Sequence, residues 1–177
     1  RHDREIRSCV WEKHMGSQLQ GKTVGIIGFG AIGQRVGELA SAFGAKIVYF
    51  DPYPKTVSDA ELLTQAELLV RADIITLHAD GSNHILGESE IAACKKGAIV
   101  INTARGGLID ERALFSALRT SRLSYACLDV FEKEPYSGPL TQLDNVVLTT
   151  HIGSYAKEAR EKMERIAVAK LLNGLEG

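Results

Sequence analysis

The chain has 177 residues, enough for one domain with a real apolar core, and its composition (45% hydrophobic, 24% charged, 6% aromatic) is that of an ordinary globular protein. A formal net charge of -1 supplies no basic field to draw it to nucleic acid or to an anionic membrane surface. No apolar run approaches the roughly 20 residues that a membrane-spanning helix needs, and no secretory leader is visible.

Cys9, Cys94 and Cys127 are odd in number and lack metal-ligand spacing, which predicts inert thiols in a reducing compartment and, from that, a cytoplasmic address. The chain opens on Arg1 with charged residues that run on without a break, so we expect a piece of a longer protein.

Asp3–Met15 reads as an opening helix with Ile6, Val10 and Trp11 on its apolar side, joined to the remainder by Gly16–Gly21. Thr23–Ile27 is a buried strand by its β-branched run, and Gly28 breaks it. Ile32, Val36, Leu39 and Phe43 then recur on one face of a helix. Lys46–Phe50 is a second strand, and Ser58 with Glu61 has the spacing of a capping box that opens a helix through Val70. Ile74–His78 and Ala98–Ile101 are strands, with a short helix over Glu88–Lys95 between them. Asp110 can cap the next helix, and Leu123–Leu128 and Val146–Leu148 are the last strands. A long helix follows, with Ala156, Ala159, Met163, Ile166, Ala167 and Leu171 on one side.

Strands alternating with helices at this pitch predict an α/β fold: a doubly wound, mainly parallel sheet of Rossmann type. Its ligand crevice lies at the carboxyl ends of the strands.

Gly28-Phe29-Gly30-Ala31-Ile32-Gly33 is a G-x-G-x-x-G placed after a strand and at the start of a helix. Gly28 permits the tight turn, Gly30 lets the backbone approach a pyrophosphate, and Gly33 lets helix and strand pack closely. The helix N-terminus offers amide N–H groups and a partial positive charge to the phosphates. Alone, the motif also fits an ordinary glycine turn. Asp51 strengthens it, because it ends the second strand near the roughly 20-residue offset of a ribose-binding acid. Such a carboxylate accepts from ribose hydroxyls and repels a 2′-phosphate, which favours NAD over NADP. FAD and S-adenosylmethionine proteins can share this pair, and an Asp before Pro52 can simply start a turn.

Three later segments each end a strand on the crevice side: Asn102–Gly107, Asp129–Pro135 and His151–Gly153. An Arg, a carboxylate pair and a His at successive strand ends converge on one mouth. Removing hydride from a secondary alcohol needs such a set: a base, a cation for the substrate carboxylate, and an acid that orients the imidazole. Taken singly, Arg105 also reads as a surface charge and His151 as structural.

These segments (GKTVGIIGFGAIG, INTARGGLIDE, LDVFEKEP and TTHIGS) resemble the signatures of the D-isomer-specific 2-hydroxyacid dehydrogenases, a family that includes phosphoglycerate, glycerate, D-lactate and formate dehydrogenases. The resemblance implies that Arg105 binds the substrate carboxylate and polarises the carbonyl. It makes His151 the acid/base, hydrogen-bonded by Glu134, which favours its protonated form. It places Asp129 by the nicotinamide. The backbone at Ala31, Ile32, Ala79, Thr103, Ala104, Arg105, His151 and Gly153 would line the cofactor.

The chain departs from the family pattern at Ala79-Asp80-Gly81-Ser82, where a Pro-Leu-Thr-like segment is usual, and at Thr150, where Pro often precedes the His. The resemblance also implies a second, substrate-binding domain that is largely absent. Residues 1–16 are then a leading interdomain helix and residues 17–177 the dinucleotide domain with its final long helix, so we expect NAD binding with little or no turnover. A homodimer through the dinucleotide domain is expected too. His78 reads as structural or ribose-adjacent, while His2, His14 and His84 show no second ligand at metal spacing, so no metal is expected.

Two alternatives stay open: an NAD-sensing module like the transcriptional co-repressors that resemble this family, and another NAD enzyme such as adenosylhomocysteine hydrolase or alanine dehydrogenase.

Overall fold

The computed structural model describes residues 2–53, 59–81 and 84–175. Seven strands form one sheet: β1 (Thr23–Ile27), β2 (Lys46–Phe50), β3 (Glu61–Leu62), β4 (Ile74–Leu77), β5 (Ala98–Asn102), β6 (Leu123–Leu128) and β7 (Val146–Leu148). Their order is β3-β2-β1-β4-β5-β6-β7, and every pairing is parallel. The chain winds outward from β1 in both directions, so the crevice falls where the order reverses. Among the described residues six α-helices accompany the sheet: α1 (His2–Arg7), α2 (Ala31–Ala42), α3 (Gln65–Arg71), α4 (Glu88–Ala93), α5 (Glu111–Arg119) and α6 (Lys157–Leu175).

Side-chain alternation divides the core into two layers. Val24 and Ile26 of β1, with Ile47 and Tyr49 of β2, pack against Val36 and Ala40 of α2. Ile27, Val48, Ile75, Leu77, Val100, Ala126 and Leu128 point the other way, into a larger cluster with Leu68 and Leu69 of α3, Ile91 of α4 and Leu114 of α5. Gly25 makes the approach of α3 possible, since a Cβ there would lie 2.6 Å from Leu68 Cδ2.

Ile32 and Leu39 of α2 and the capping Phe43 do not join this core, whereas Val36, expected on the same face, does. The Ile32, Leu39 and Phe43 side chains are 69%, 51% and 70% exposed. The buried residues of α2 are Gly33 and Gly37, and a Cβ on Gly37 would sit 3.4 Å from Ile26 and 3.5 Å from Ile47. Small residues bring the helix close to the sheet, so its bulky apolar stripe is left outward.

Two expected helices are corrected. The opening helix ends at Arg7, not Met15, because Cys9 adopts φ 59°. The Val10 amide donates to Glu5 O (2.8 Å) and the Cys9 amide to Ile6 O (3.0 Å), a paired left-handed cap of the kind that glycine normally supplies. Gly44, at φ 80°, ends α2 in the same way, with Gly44 N to Ser41 O (2.8 Å) and Ala45 N to Ala40 O (3.2 Å). A cysteine in the glycine position left no signal to read.

The second correction concerns the capping box. Glu61 lies in edge strand β3, ion-paired to Arg71 at 2.6 Å, while Ser58 lies outside the described residues. The capping box belongs to Thr64 and Glu67: the Thr64 hydroxyl accepts from the Glu67 amide, and the Glu67 carboxylate accepts from the Thr64 amide. Both pairs have the Ser/Thr-x-x-Glu spacing, and the later one opens the helix. The expected long final helix is present as α6, but its Met163, Ile166 and Leu171 side chains are all exposed.

Asp110 caps α5 as expected, its Oδ1 accepting from the Arg112 amide (2.9 Å) and the Ala113 amide (3.1 Å). Asp110→Ala should therefore lower unfolding free energy by about 1 kcal/mol. Urea denaturation followed by circular dichroism measures this, and Asp110→Asn should recover most of the loss.

Candidate functional site

The strands finish in register. Ile27 pairs with Phe50 and with Leu77, Leu77 with Asn102, Asn102 with Leu128, and Leu128 with Leu148. Each candidate segment begins just beyond one of these ends. Across the sheet the carboxyl edge reads Asp51, the glycine turn, Ala79, Thr103–Arg105, Asp129–Glu134 and His151–Gly153. The ladder runs into the site itself: the Gly28 amide donates to Phe50 O, His78 to Ile27 O, Asp129 to Asn102 O, and Thr149 to Leu128 O.

At one end, Gly28 has φ 89°, and a Cβ there would lie 2.5 Å from the Ala79 nitrogen. The turn is pressed against the start of the segment after β4. A Cβ on Gly33 would collide with Gly28 O, so the third glycine lets α2 begin directly against the turn. Gly30 differs, because a Cβ there would meet nothing in the protein. Internal packing does not require that glycine, whereas close approach of a diphosphate does.

Gly30 is also the N-cap of α2 and offers no side-chain cap, in contrast to Thr64 at α3 and Asp110 at α5. Ala31 and Ile32 occupy the exposed first turn. Beside them, Asp51 Oδ2 accepts from the Phe29 amide at 2.7 Å, and Oδ1 accepts from the Tyr53 amide at 2.8 Å. These two bonds aim the carboxylate at the turn and leave further lone pairs for ribose hydroxyls. Open amides, a bare glycine and an adjacent fixed carboxylate fit a dinucleotide.

In the middle of the edge, the buried Asn102 shapes the arginine loop. Its Nδ2 donates to Arg105 O (2.8 Å), and its Oδ1 accepts from the Ala104 amide (3.0 Å). Gly106 holds that loop against the next segment, since a Cβ there would overlap Phe131 O. The Arg105 side chain is exposed, donates from Nη1 to Ala104 O (2.7 Å), and lies 3.6 Å through Nε from Asp80 Oδ1. His78 donates to or accepts from Thr76 Oγ1 at 2.9 Å, and burial pushes its imidazole below the ordinary histidine value.

At the other end, His151 Nδ1 lies 2.9 Å from Glu134 Oε2. Glu134 Oε1 accepts from the Phe131 amide at 3.1 Å. The hydrogen bond with His151, aided by that amide and by the imidazole charge, holds Glu134 below the ordinary carboxylate value despite partial burial. His151 has φ 55°, a region that a non-glycine residue occupies at a cost of about 1–3 kcal/mol.

Asp129 maintains that conformation. It is buried, and it accepts from Thr149 Oγ1 (2.5 Å), the Ile152 amide (3.0 Å) and the Gly153 amide (2.9 Å). Burial pushes the Asp129 carboxyl up, but these bonds and the nearby imidazole outweigh it, so the group stays below its ordinary value. A cavity of about 550 Å³ opens beside the His151–Glu134 couple, walled by Phe131, Tyr136 and Leu148.

Sequence reasoning named Arg105, Glu134 and His151 but missed the supports: Asn102, Gly106, and the hydrogen bonds that make Asp129 the anchor of the histidine loop. Asn102 and Gly106 stand within the Asn-Thr-Ala-Arg-Gly run, where a buried Asn beside a turn was the available signal. The structure joins His151 to Glu134 directly, while Arg105 meets Asp80 instead. Elsewhere, the reversal at Cys9 brings Glu5, Glu12 and His14 within 4.8 Å of one another, a grouping that linear spacing did not show. Hydrogen bonds of 2.9 and 3.0 Å to Glu5 account for His14 there.

Residues 1–153 match the family described as the D-isomer specific 2-hydroxyacid dehydrogenase, NAD binding domain. The chain is 45% identical to D-3-phosphoglycerate dehydrogenase of Methanocaldococcus jannaschii, covering 97% of this chain and 35% of that protein. It is 41% identical to glyoxylate reductase of Aeropyrum pernix, covering 92% of this chain and 51% of that protein. A crystal structure of a glyoxylate reductase from Paecilomyes thermophila superposes with a TM-score of 0.94 at 35% identity, covering 98% of this chain and 56% of the other. The chain thus spans about a third to three fifths of the length of the curated relatives it matches. It belongs to this family as the NAD-binding domain, and its cofactor is NAD.

The Asp129 bonds predict a pH-dependent contribution to stability. A carboxyl held low when folded stabilises fully above its unfolded value of about 4 and loses that contribution as pH falls through the folded value. Asp129→Asn should cost about 2 kcal/mol at pH 7, the scale of hydrogen bonds to a charged acceptor. Denaturation midpoints measured from pH 7 to pH 3 should show the gap between the two proteins closing in acid.

Proposed function

From this family membership we propose that the chain is the cofactor-carrying part of an enzyme that moves hydride between NAD(H) and a small D-2-hydroxy acid or its 2-keto acid. The observation that carries the reading is the 2.9 Å contact of His151 Nδ1 with Glu134, at the same sheet edge as the Arg105 loop. When bound, NAD+ supplies a hydride acceptor at its nicotinamide ring. With Nδ1 engaged, Nε2 of His151 takes the hydroxyl proton in oxidation and returns it in reduction. The Glu134 carboxylate stabilises the imidazolium formed in between. Arg105 offers its planar donor fork to the substrate carboxylate and polarises the carbonyl. Asp129 lies by the nicotinamide in this reading, while Ala31, Ile32, Ala79, Thr103, Ala104 and Gly153 contribute backbone to the cofactor track.

The proposal includes a second domain that supplies the rest of the substrate cleft, with α1 and α6 leading toward it. The exposed Met163, Ile166 and Leu171 of α6 support that. On this reading the 177-residue chain binds NAD and turns over 2-keto acids poorly or not at all. The outward stripe of Ile32, Leu39 and Phe43 supports a homodimer through the dinucleotide domain. A cytoplasmic address is part of the proposal and rests on three unpaired thiols. The relatives named above are a dehydrogenase and reductases, and none of these names favours the co-repressor or the other NAD enzymes.

Kinetics of the complete enzyme test the assignment. Glu134→Gln removes the charge that favours imidazolium, so the pH profile for 2-keto acid reduction should move to lower pH; an unmoved profile removes Glu134 from this role. Arg105→Met should lower kcat/KM for the 2-keto acid by about 100-fold or more, the scale of losing a charged substrate anchor. A change below fivefold would contradict the role given to Arg105.

A further inference from the structure

Asp80 follows β4 at the carboxyl edge of the sheet. A Cβ on Gly28 would lie 2.5 Å from the Ala79 nitrogen, so the chain leaves β4 pressed against the glycine turn. Gly81, at φ 131°, follows Asp80. Asp80 lies between Ala79 and Gly81 in the chain. Because β4 lies between β1 and β5, this places the carboxylate between the phosphate-binding turn and the arginine loop.

Its Oδ1 accepts from the Gly81 amide at 3.0 Å and lies 3.6 Å from Arg105 Nε. The Asp80 side chain is 91% exposed and the Arg105 side chain 61%, so both face the mouth and not the core. The guanidinium assigned to the substrate carboxylate therefore already has an anionic neighbour, weakly bound and easily displaced. Among the described residues, Glu134 with the imidazole it engages, and the buried Asp129 beneath the histidine loop, are further ionisable groups of this edge.

We propose that Asp80 is a specificity-determining residue: its carboxylate shares Arg105 with the substrate carboxylate and selects 2-keto and 2-hydroxy acids with no second anionic group, against those phosphorylated at C3. The inference rests on the role given to Arg105 above and deepens it by naming the substrate class. A monoanionic acid displaces Asp80 from Arg105 and leaves one carboxylate in excess nearby. A substrate that also carries a phosphoryl group brings close to two further negative charges toward that carboxylate. The named relatives include both a phosphoglycerate dehydrogenase and a glyoxylate reductase. Asp80 places this chain with substrates of the second kind.

The test compares a 3-hydroxy 2-keto acid with its 3-phosphorylated counterpart in the complete enzyme. Asp80→Asn keeps an oxygen for the Gly81 amide while removing the charge. It should raise kcat/KM for the phosphorylated acid by about fivefold, the upper size of an exposed ion-pair effect, and for the unphosphorylated acid by less than about twofold. Asp80→Lys should extend the same trend. The difference should shrink in 0.5 M salt, which a merely structural change would not produce.

Equal changes for both acids, no change, or a preference that ignores salt would overturn the proposal while leaving the role of Arg105 intact. If Arg105→Met has no effect on either acid, or neither acid is reduced, both readings fall together.

Discussion

The sheet's register is the constraint on which the site depends. Six parallel strands end level with one another, from Phe50 through Ile27, Leu77, Asn102 and Leu128 to Leu148. Chemistry-bearing residues then need only follow within a few positions of a strand end to share one edge. A slip of one residue in any strand would turn its side chains to the other face and carry its site residue out of line. The two hydrophobic layers prevent that slip, because side chains of fixed alternation are buried in β1, β2, β4, β5 and β6 and partly buried in β7.

Along this edge the protein arranges charge in two ways. At the nucleotide end, backbone amides are left open at Gly30 and a carboxylate is fixed beside them by the Phe29 and Tyr53 amides. At the reacting end the backbone is satisfied and the side chains are paired. Asp129 ties down Thr149, Ile152 and Gly153, and the loop so held keeps His151 in a left-handed conformation within reach of Glu134. The first end receives a ligand, and the second holds a proton at a defined atom. Arg105 sits between them with the exposed Asp80 carboxylate as its anionic neighbour.

Much of this was legible in the residues. Short apolar runs set between helical stretches marked strands β1, β2, β4, β5 and β6 nearly to the residue, with the β-branched run and glycine break clearest at β1, and the Asp110 cap announced α5. Errors arose where a local rule had two solutions or an unusual residue filled a standard position. Two Ser/Thr-x-x-Glu patterns lie close together, and only the pairing of Glu61 with β2 decides between them. Cys9 in a glycine's place concealed the end of α1. The apolar face of α2 was visible, but its direction was only half legible, because the inward side joins Val36 and Ala40 to glycines that carry no hydrophobic signal. In the candidate site, Arg105, Glu134 and His151 stood out by residue type. Those that position them, Asn102, Gly106 and Asp129, act through backbone contacts that only the folded chain brings together.

The central claim is that open amides at the glycine turn meet a diphosphate while the neighbouring carboxylate takes the adjoining ribose. Isothermal titration of the 177-residue chain with NAD+ and NADP+ tests it most directly, with Asp51→Ala run alongside. The account predicts saturable heat with NAD+, clearly weaker binding of NADP+, and loss of that preference in Asp51→Ala. No heat with NAD+ from folded protein, or an unchanged preference without the carboxylate, would contradict it.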